Sequence, residues 1–321
     1  LRRKVDVKAA QAVMPPLLRT YLLMGGWASE REVSLSSGKA CADALERCGY
    51  QVSRIDVDRD LGHVLEELKP DVAFNALHGR FGEDGTVQGL LEIMGIPYTH
   101  SGVSASSIAM NKHLSKVFFK ANGIPVTDHF VASRDEVARK HQMEPPYVIK
   151  PVADGSSVGV FIVKQGTEHP PQEILRTDWK SGEELMVERY IAGRELTCAV
   201  MGGVALAVTE VITDLNFYNY EAKYAQGGSK HIFPADVSSN IYQTAQKLAL
   251  KAHESLGCKG VTRTDFRLSM HGGEEGDLIC LEINTQPGMT PTSLVPEMAA
   301  HAGHDFEDLV RWILEDASCE R

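Results

Sequence analysis

Three features of this sequence predict an α/β fold assembled from three units of about a hundred residues each. Its first part alternates strand, helix, strand, helix, strand, the signature of a parallel sheet with right-handed crossovers. Its middle carries short β-rich runs with one charged helical stretch among them. Its last part holds hairpins, a helix over 237–256 and a closing helix at about 303–316.

In order along the chain, "TYLLMGG" is a short buried strand ending in glycines. "SEREVSLSSGKACADALERCGY" is a helix, with Ser29 or a nearby serine as its cap and apolar positions at helical spacing. "YQVSRIDVD" and "PDVAFNALHG" are two further strands, with helical "LGHVLEELK" between them, and "TVQGLLEIMG" is a helix capped by Asp84 or Thr86. "SASSIAMNKHLSKVFFKANGI" is helical. "HFVAS", "YVIKPV", "GVFIVK" and "LMVERYI" are short strands, and "RELTCAVMGGVALAVTEV" is a hairpin turning at Gly202-Gly203. The aromatic-rich "DLNFYNYEAKYAQGGSKHIFP" has no clear period. Rings in an irregular loop point to an Ω-type lid over 214–234, with an aromatic cluster under a loop as the alternative.

With 43% apolar and 24% charged residues the chain reads as an ordinary globular protein. A net charge of −10 excludes a broad nucleic-acid or acidic-membrane surface while leaving room for a local phosphate site. Cys41, Cys48, Cys198, Cys258, Cys280 and Cys319 form no C-x-x-C pair and no zinc spacing. They are expected as single buried thiols in a reduced, cytoplasmic compartment. The basic start is broken by Pro15-Pro16 and Arg19 and lacks a signal-peptide core, and the longest uncharged run, Leu196 to Thr209, is too short to span a bilayer. No membrane partner is expected.

The chemistry gathers in five stretches. "LICLEINTQPGMT" alternates Ile279, Leu281 and Ile283 against Glu282 and Asn284, and upstream "GVTRTDFRLSM" sets Arg263 and Asp265 two apart. A hairpin centred between Gly273 and Glu274 puts Asp265 opposite Glu282 and Arg263 opposite Asn284. Like charges directly opposite are destabilising unless a cation lies between them. Asp, Glu and Asn make an oxygen-only set suited to magnesium with nucleotide phosphates, and a solvated hairpin face is the plainer alternative. "YVIKPVADGSSVGV" places Lys150 at a strand end before a Gly-Ser-Ser-Val-Gly loop, either a phosphate cradle or a simple turn. "ELMVERYIAGRE" carries Glu188 and Glu195, which suit an amino group or ribose hydroxyls if they are not ordinary edge-strand charges. In "HGRFGEDGTVQG" a structural turn explains every residue except His78. In "MGGWASEREVS" Glu30 stands at a helix start, where a carboxylate suits the dipole and also suits an ammonium.

Taken in order, "HGRFGEDGTVQG", "KPVADGSSVGV", "YEAKY", "GVTRTDF" and "LEINTQPGMTPTSLVP" resemble the D-alanine–D-alanine ligases of the ATP-grasp superfamily, from about Tyr21 to the last helix. The resemblance implies an N-terminal parallel-sheet domain and two α+β domains gripping ATP. The expected division is an extension over 1–20 with no assigned role, then domains over 21–103, 104–195 and 196–321. It implies ATP as substrate and two magnesium or manganese ions on Asp265, Glu282 and Asn284. Lys150 and Lys112 neutralise phosphoryl charge, and Arg263 and the N–H of Gly288 hold the oxyanion. Glu30 takes the first D-alanine's ammonium, with His78 near its carboxylate. Glu30, Ser156 and Tyr224 form a closing trio, and Ser293 with the backbone of Leu294 takes the second carboxylate. Glu188 reads adenine, Ser157, Arg189, Tyr190 and Ile191 also meet the nucleotide, Glu195 meets ribose, and Phe217 and Lys223 cover ATP from the lid. A homodimer is expected, with no nucleic-acid partner.

Trp27 stands where the family has a small residue, and Pro291-Thr292 replaces a Ser-His pair after "GMT". Both departures lie near the substrate side and leave the ligand residues intact. The rivals are a sister enzyme joining D-alanine to D-lactate or D-serine, a nucleotide-binding protein with a dead site, and a ligase for other amino acids. Tyr224 within "YEAKY", the complete set of charged ligands, and Glu30 with "HGRFGEDG" speak against each in turn.

Overall fold

The computed structural model describes residues 18–155, 159–179, 181–212, 230–290 and 292–321. The predicted parallel sheet forms from β1 (Thr20–Gly25), β2 (Val52–Val57) and β3 (Val72–Asn75) in the order β2-β1-β3. Helices α1 (Arg31–Arg47) and α2 (Leu61–Leu68) make the crossovers. Helix α1 lies close on β1 because Gly38 faces it: a Cβ there would stand 2.5 Å from that of Met24. The cap differs from the expected serine. Glu30 holds the N-cap position and no side chain caps the first turn. Helix α3 (Thr86–Met94) follows Gly85 at φ +95, and Asp84 reaches past it to accept from the Thr86 N–H at 3.0 Å.

The next expected helix is two: α4 (Val103–Met110) and α5 (Lys112–Ala121). Asn111 between them is extended, and its side chain caps α5 by accepting from the Leu114 N–H, while the Lys112 N–H donates to the Val152 carbonyl at 2.9 Å. That break turns Lys112 toward the middle of the molecule.

A four-stranded antiparallel sheet follows, ordered β4-β7-β5-β6: β4 (His129–Ser133), β5 (Tyr147–Pro151), β6 (Phe161–Val163) and β7 (Glu184–Arg189). The charged helix α6 (Arg134–Arg139) starts on a Ser133–Glu136 capping box. The five-stranded sheet, ordered β10-β9-β8-β11-β12, contains β8 (Gly193–Met201), β9 (Val204–Ile212), β10 (Lys230–Ile232), β11 (Val261–His271) and β12 (Glu274–Asn284). Helix α7 (Ser239–Ser255) buries Ile241, Ala245 and Ala249 against it. Two helices then close the chain, α8 (Leu294–His301) and α9 (Phe306–Glu315), where the sequence predicts only the second. Pro296 hides α8 by reading as a breaker, yet it sits in the first turn, where no N–H is needed.

The register of β11 on β12 pairs Asp265 with Glu282 and Arg263 with Asn284, as the spacing predicts. The turn itself does not lie where expected. His271 pairs with Glu274, so Gly272 (φ +60) and Gly273 (φ +93) form the two-residue turn, and two register shifts farther along the strands restore the predicted pairing.

Packing joins the ends of the chain. Leu22 and Phe74 of the first sheet share one core with Met298, Leu309 and Ile313 from α8 and α9. Each such side chain contributes about 1.5–3 kcal/mol by leaving water. Ala105, Ala109 and Phe119 of α4 and α5 pack instead on the five-stranded sheet, and the four-stranded sheet has its own core around Tyr147, Ile149 and Val187. Among the described residues no helix is long and apolar enough to cross a membrane. All six cysteines are free. Burial pushes Cys198, Cys258 and Cys280 up to about 12, so those thiols are inert, whereas Cys48 and Cys319 are half-buried rather than buried.

Candidate active site

One cleft lies where the first sheet, α5 and the end of β12 meet. Glu30, His78, Lys112, Arg263, Glu282, Asn284, Gly288, Ser293 and Leu294, all singled out by sequence, line it together. Thr292 lines it too, which places that departure from the family pattern in this cleft. Ser156, Ser157, Phe217, Lys223, Tyr224 and Pro291 lie outside the described residues.

At the first-sheet end, Glu30 is buried at the start of α1. Gly79 explains the histidine–glycine pair. Its φ is +71, and a Cβ there would stand 2.3 Å from Glu30 Oε2. The other side of Gly79 holds Glu83, whose Oε1 accepts the Gly79 N–H at 2.8 Å. Sequence reasoning passed over Glu83, reading its stretch as a turn. Burial first, and then the Glu30 charge, push its carboxyl up to about 8, so this acid favours its neutral form. His78 is pushed down to about 4 by burial, and its Nε2 lies 3.0 Å from Ser37 Oγ, which also accepts the Met289 N–H at 3.3 Å. His78 is therefore neutral and tied to the turn that follows β12.

That turn is stitched to the first sheet. The side-chain amide of Asn75 donates to Gln286 Oε1 and to the Gly82 carbonyl, each at 2.9 Å, and the amide of Gln286 donates to the Leu77 carbonyl. The Gln286 N–H returns to Asn284 Oδ1 at 2.8 Å. At Gly288 a Cβ would meet Ser293 Oγ at 3.1 Å, a contact that would push the Ser293 hydroxyl aside. Ser293 Oγ accepts the Thr290 N–H at 3.0 Å.

At the hairpin, Arg263 donates two hydrogen bonds to Asp265, at 2.9 and 2.8 Å, and the Thr197 hydroxyl donates to Asp265 Oδ1 at 2.6 Å. Lys112 Nζ lies 3.4 Å from Glu282 and donates to the Asp154 carbonyl at 2.5 Å. Two opposed carboxylates with an amide oxygen beside them form a hard-donor set. Their like charge, balanced here by Arg263 and Lys112, fits a divalent cation of the magnesium kind.

The nucleotide candidates lie on the four-stranded sheet and its exit. Glu188 on β7 accepts from Lys150 Nζ on β5 at 2.6 Å and lies 2.8 Å from Lys116 Nζ on α5. Thr127 Oγ1 donates to Glu188 Oε2 at 2.6 Å and accepts from Lys116 at 2.9 Å. Burial opposes the charge on Glu188, but the ammoniums of Lys150 and Lys116 outweigh it and hold the carboxyl well below its usual range. Lys150 is raised: burial opposes its charge, and the Glu188 and Glu282 carboxylates overcome that. It thus links the Glu188 cluster to the hairpin carboxylates. Arg189 is exposed and Tyr190 half-buried beyond β7, and Arg267 donates to the Ile191 carbonyl at 3.2 Å while lying 3.5 Å from Glu195. Lys116 escaped the sequence reading, since a lysine in a helix gives no sign of a carboxylate that folding brings to it. Trp27 lies outside the cleft, 38% exposed, against Phe81 at 5.0 Å with Arg59 over its ring at 5.1 Å.

A parallel-sheet unit followed by two antiparallel sheets, with lysines and carboxylates meeting between them, defines the ATP-grasp class. The family model for the D-ala D-ala ligase C-terminus matches residues 118–315, and that for the N-terminus matches residues 63–101. The chain is 64% identical to D-alanine–D-alanine ligase B of Mesorhizobium japonicum, over 94% of this chain and 98% of that one. It is 62% identical to D-alanine–D-alanine ligase of Rhizobium meliloti over the same shares. The crystal structure of D-alanine–D-alanine ligase from Bacillus anthracis complexed with ATP superimposes with a TM-score of 0.78 at 29% identity, covering 93% of this chain and 97% of that one. The chain belongs to the D-alanine–D-alanine ligase family.

Proposed function

We propose that this protein joins two D-alanine molecules into D-alanyl-D-alanine with ATP, through an acyl phosphate and with release of ADP and phosphate, as a step of peptidoglycan precursor synthesis in the cytoplasm. The observation that carries this reading is the single cleft with an acid at one end and cations at the other. Glu30 receives the first substrate's ammonium, and Lys112 and Lys150 lie where negative phosphoryl charge is transferred. The first carboxylate attacks the γ-phosphate, and the second substrate's free amine then attacks the acyl carbon. The Arg263 guanidinium and Gly288 N–H hold the oxyanion of that step. Ser293 and the Leu294 backbone orient the second carboxylate, and the pinned, neutral His78 fixes the wall beside the first.

Asp265, Glu282 and Asn284 would hold the two divalent ions, which supply charge neutralisation for phosphoryl transfer. Glu188, Ile191 and Glu195 take adenine and ribose, with Arg189 and Tyr190 beside them and Ser157, Phe217 and Lys223 closing over the phosphates and base. Ser156 and Tyr224 complete the closing trio with Glu30. The same reading divides the chain into units over 21–103, 104–195 and 196–321, and includes a homodimer through the first, where Ile93 stands 87% exposed.

The test is phosphate release from magnesium-ATP with no amino acid, D-alanine, L-alanine, or D-alanine plus D-lactate, with products identified by mass. Release with D-alanine and formation of the dipeptide is expected. A depsipeptide at neutral pH would move the protein to the sister enzymes. No turnover in any arm would overturn the reading.

A further inference from the structure

Glu188 is a buried carboxylate that serves two lysines, and only one of them, Lys150, also feels Glu282 of the hairpin. Lys150 stands between Glu188, at 2.6 Å, and the neighbourhood of Glu282, where phosphate charge arrives. Lys116 is different. Its side chain is 0% exposed, it lies 2.8 Å from Glu188 Oε2, and it donates to Thr127 Oγ1 at 2.9 Å. Thr127 in turn donates to the same Oε2 at 2.6 Å, which closes a small ring of three groups. A lysine locked this way cannot reach out to a phosphate.

The charge count gives it a task. Lys116 and Lys150 share the Glu188 carboxylate. Burial and the Lys150 charge lower the Lys116 pKa while Glu188 opposes that, and Glu282 is the further carboxylate acting on Lys150, so a second anion near Lys150 suits the cluster. When phosphates draw on Lys150, Glu188 shares that ammonium with a stronger anion. With Lys150 as its sole counter-charge, a 3%-exposed carboxylate would then be left nearly uncompensated in a dry site, a strongly unfavourable state. Lys116 removes that conflict. It holds Oε2 ionised and oriented and leaves Oε1, the oxygen on which Lys150 rests, to face the ligand.

We propose that Lys116 is a positioning residue for the nucleotide: a fixed counter-charge, locked by Thr127, that frees Lys150 to turn from Glu188 to the phosphates while Glu188 stays charged to accept from the adenine amino group. This rests on the reading of Glu188 and Lys150 as ATP-binding residues. The proposal separates two properties that a packing residue would join. Without nucleotide, Lys150 still pairs Glu188, so Lys116→Met keeps most of its stability. With nucleotide, the variant loses the advantage.

The experiment is thermal unfolding of the full-length protein and of Lys116→Met, each with and without magnesium-ATP, together with KM for ATP and for D-alanine. The expected result is a small fall in the ligand-free Tm, loss of most of the ATP-induced rise, KM for ATP up at least tenfold, and KM for D-alanine unchanged. A full ATP-induced rise in Lys116→Met overturns the proposal, as does a rise in both KM values together. If Lys116→Met does not fold, Thr127→Val carries the test. It unlocks the ring, keeps both charges, and should lose part of the ATP-induced rise, and a full rise in that variant overturns the proposal equally. Absence of any ATP-induced rise in the unaltered protein would instead overturn the ATP assignment on which the proposal stands.

Discussion

Two buried charge clusters, one on the cleft at the first sheet and one on the four-stranded sheet, are electrostatic opposites. At the first-sheet end, Glu30 and Glu83 approach Gly79 from two sides, and burial with mutual repulsion leaves one of them protonated. At the four-stranded sheet, two lysines, Lys116 and Lys150, share the Glu188 carboxylate. The first region settles its conflict by binding a proton, because a carboxyl can be neutral near pH 7. The second settles it with geometry and a hydroxyl. Each keeps the sign that its proposed ligand relieves, an ammonium in one case and phosphates in the other. A buried like-charge pair is therefore more informative about ligand class than an isolated salt bridge.

The sharpest way to break this contrast is Glu188→Leu. It strands two buried ammoniums and should cost about 3–5 kcal/mol in denaturant unfolding. A loss below about 1 kcal/mol would mean that the two lysines do not depend on Glu188. Next comes Gly79→Ala. An alanine at φ +71 is strained by about 1 kcal/mol, and its Cβ displaces the Glu30 carboxylate, so KM for the first D-alanine should rise tenfold or more with KM for ATP little changed.

Glu83→Gln is the gentlest test and works through pH. The folded carboxyl is raised to about 8 from an ordinary 4.5, so the folded state binds the extra proton between those values. The associated stability is fully present below 4.5 and is lost as pH rises through about 8. Glu83→Gln should flatten that decline, gaining on the unaltered protein toward the alkaline side. Parallel stability curves for the two proteins across this window would place the proton elsewhere.

The first-sheet end and the hairpin were more legible in sequence than the Glu188 cluster, and the reason is range. Glu30, His78 and Gly79 sit in short strings whose order carries meaning, and Asp265, Glu282 and Asn284 follow from a period of two and one hairpin. Even there the turn position was misjudged at Gly273-Glu274, and the pairing survived because two register shifts offset the error. Lys116 and Thr127 became functional candidates only when folding carried α5 and the segment before β4 onto Glu188. The break at Asn111 was likewise invisible, since the helix is interrupted by a bond from Lys112 to Val152, far along the chain. Glu83 was in plain view inside "HGRFGEDG", but its raised pKa arises from burial, which a sequence string does not carry.

The β11–β12 hairpin reaches well away from the chemistry. Strand β11 runs eleven residues from Val261 to His271, so the Gly272-Gly273 tip stands about 23 Å along the strand from Asp265. A Cβ on either glycine would meet nothing within 4 Å. A fluorophore or short peptide grafted at that tip would have open space around it and would be coupled, through two paired strands, to Asp265 and Glu282, the proposed cation ligands. The molecule thus carries its own mounting point for an optical reporter of ligand binding.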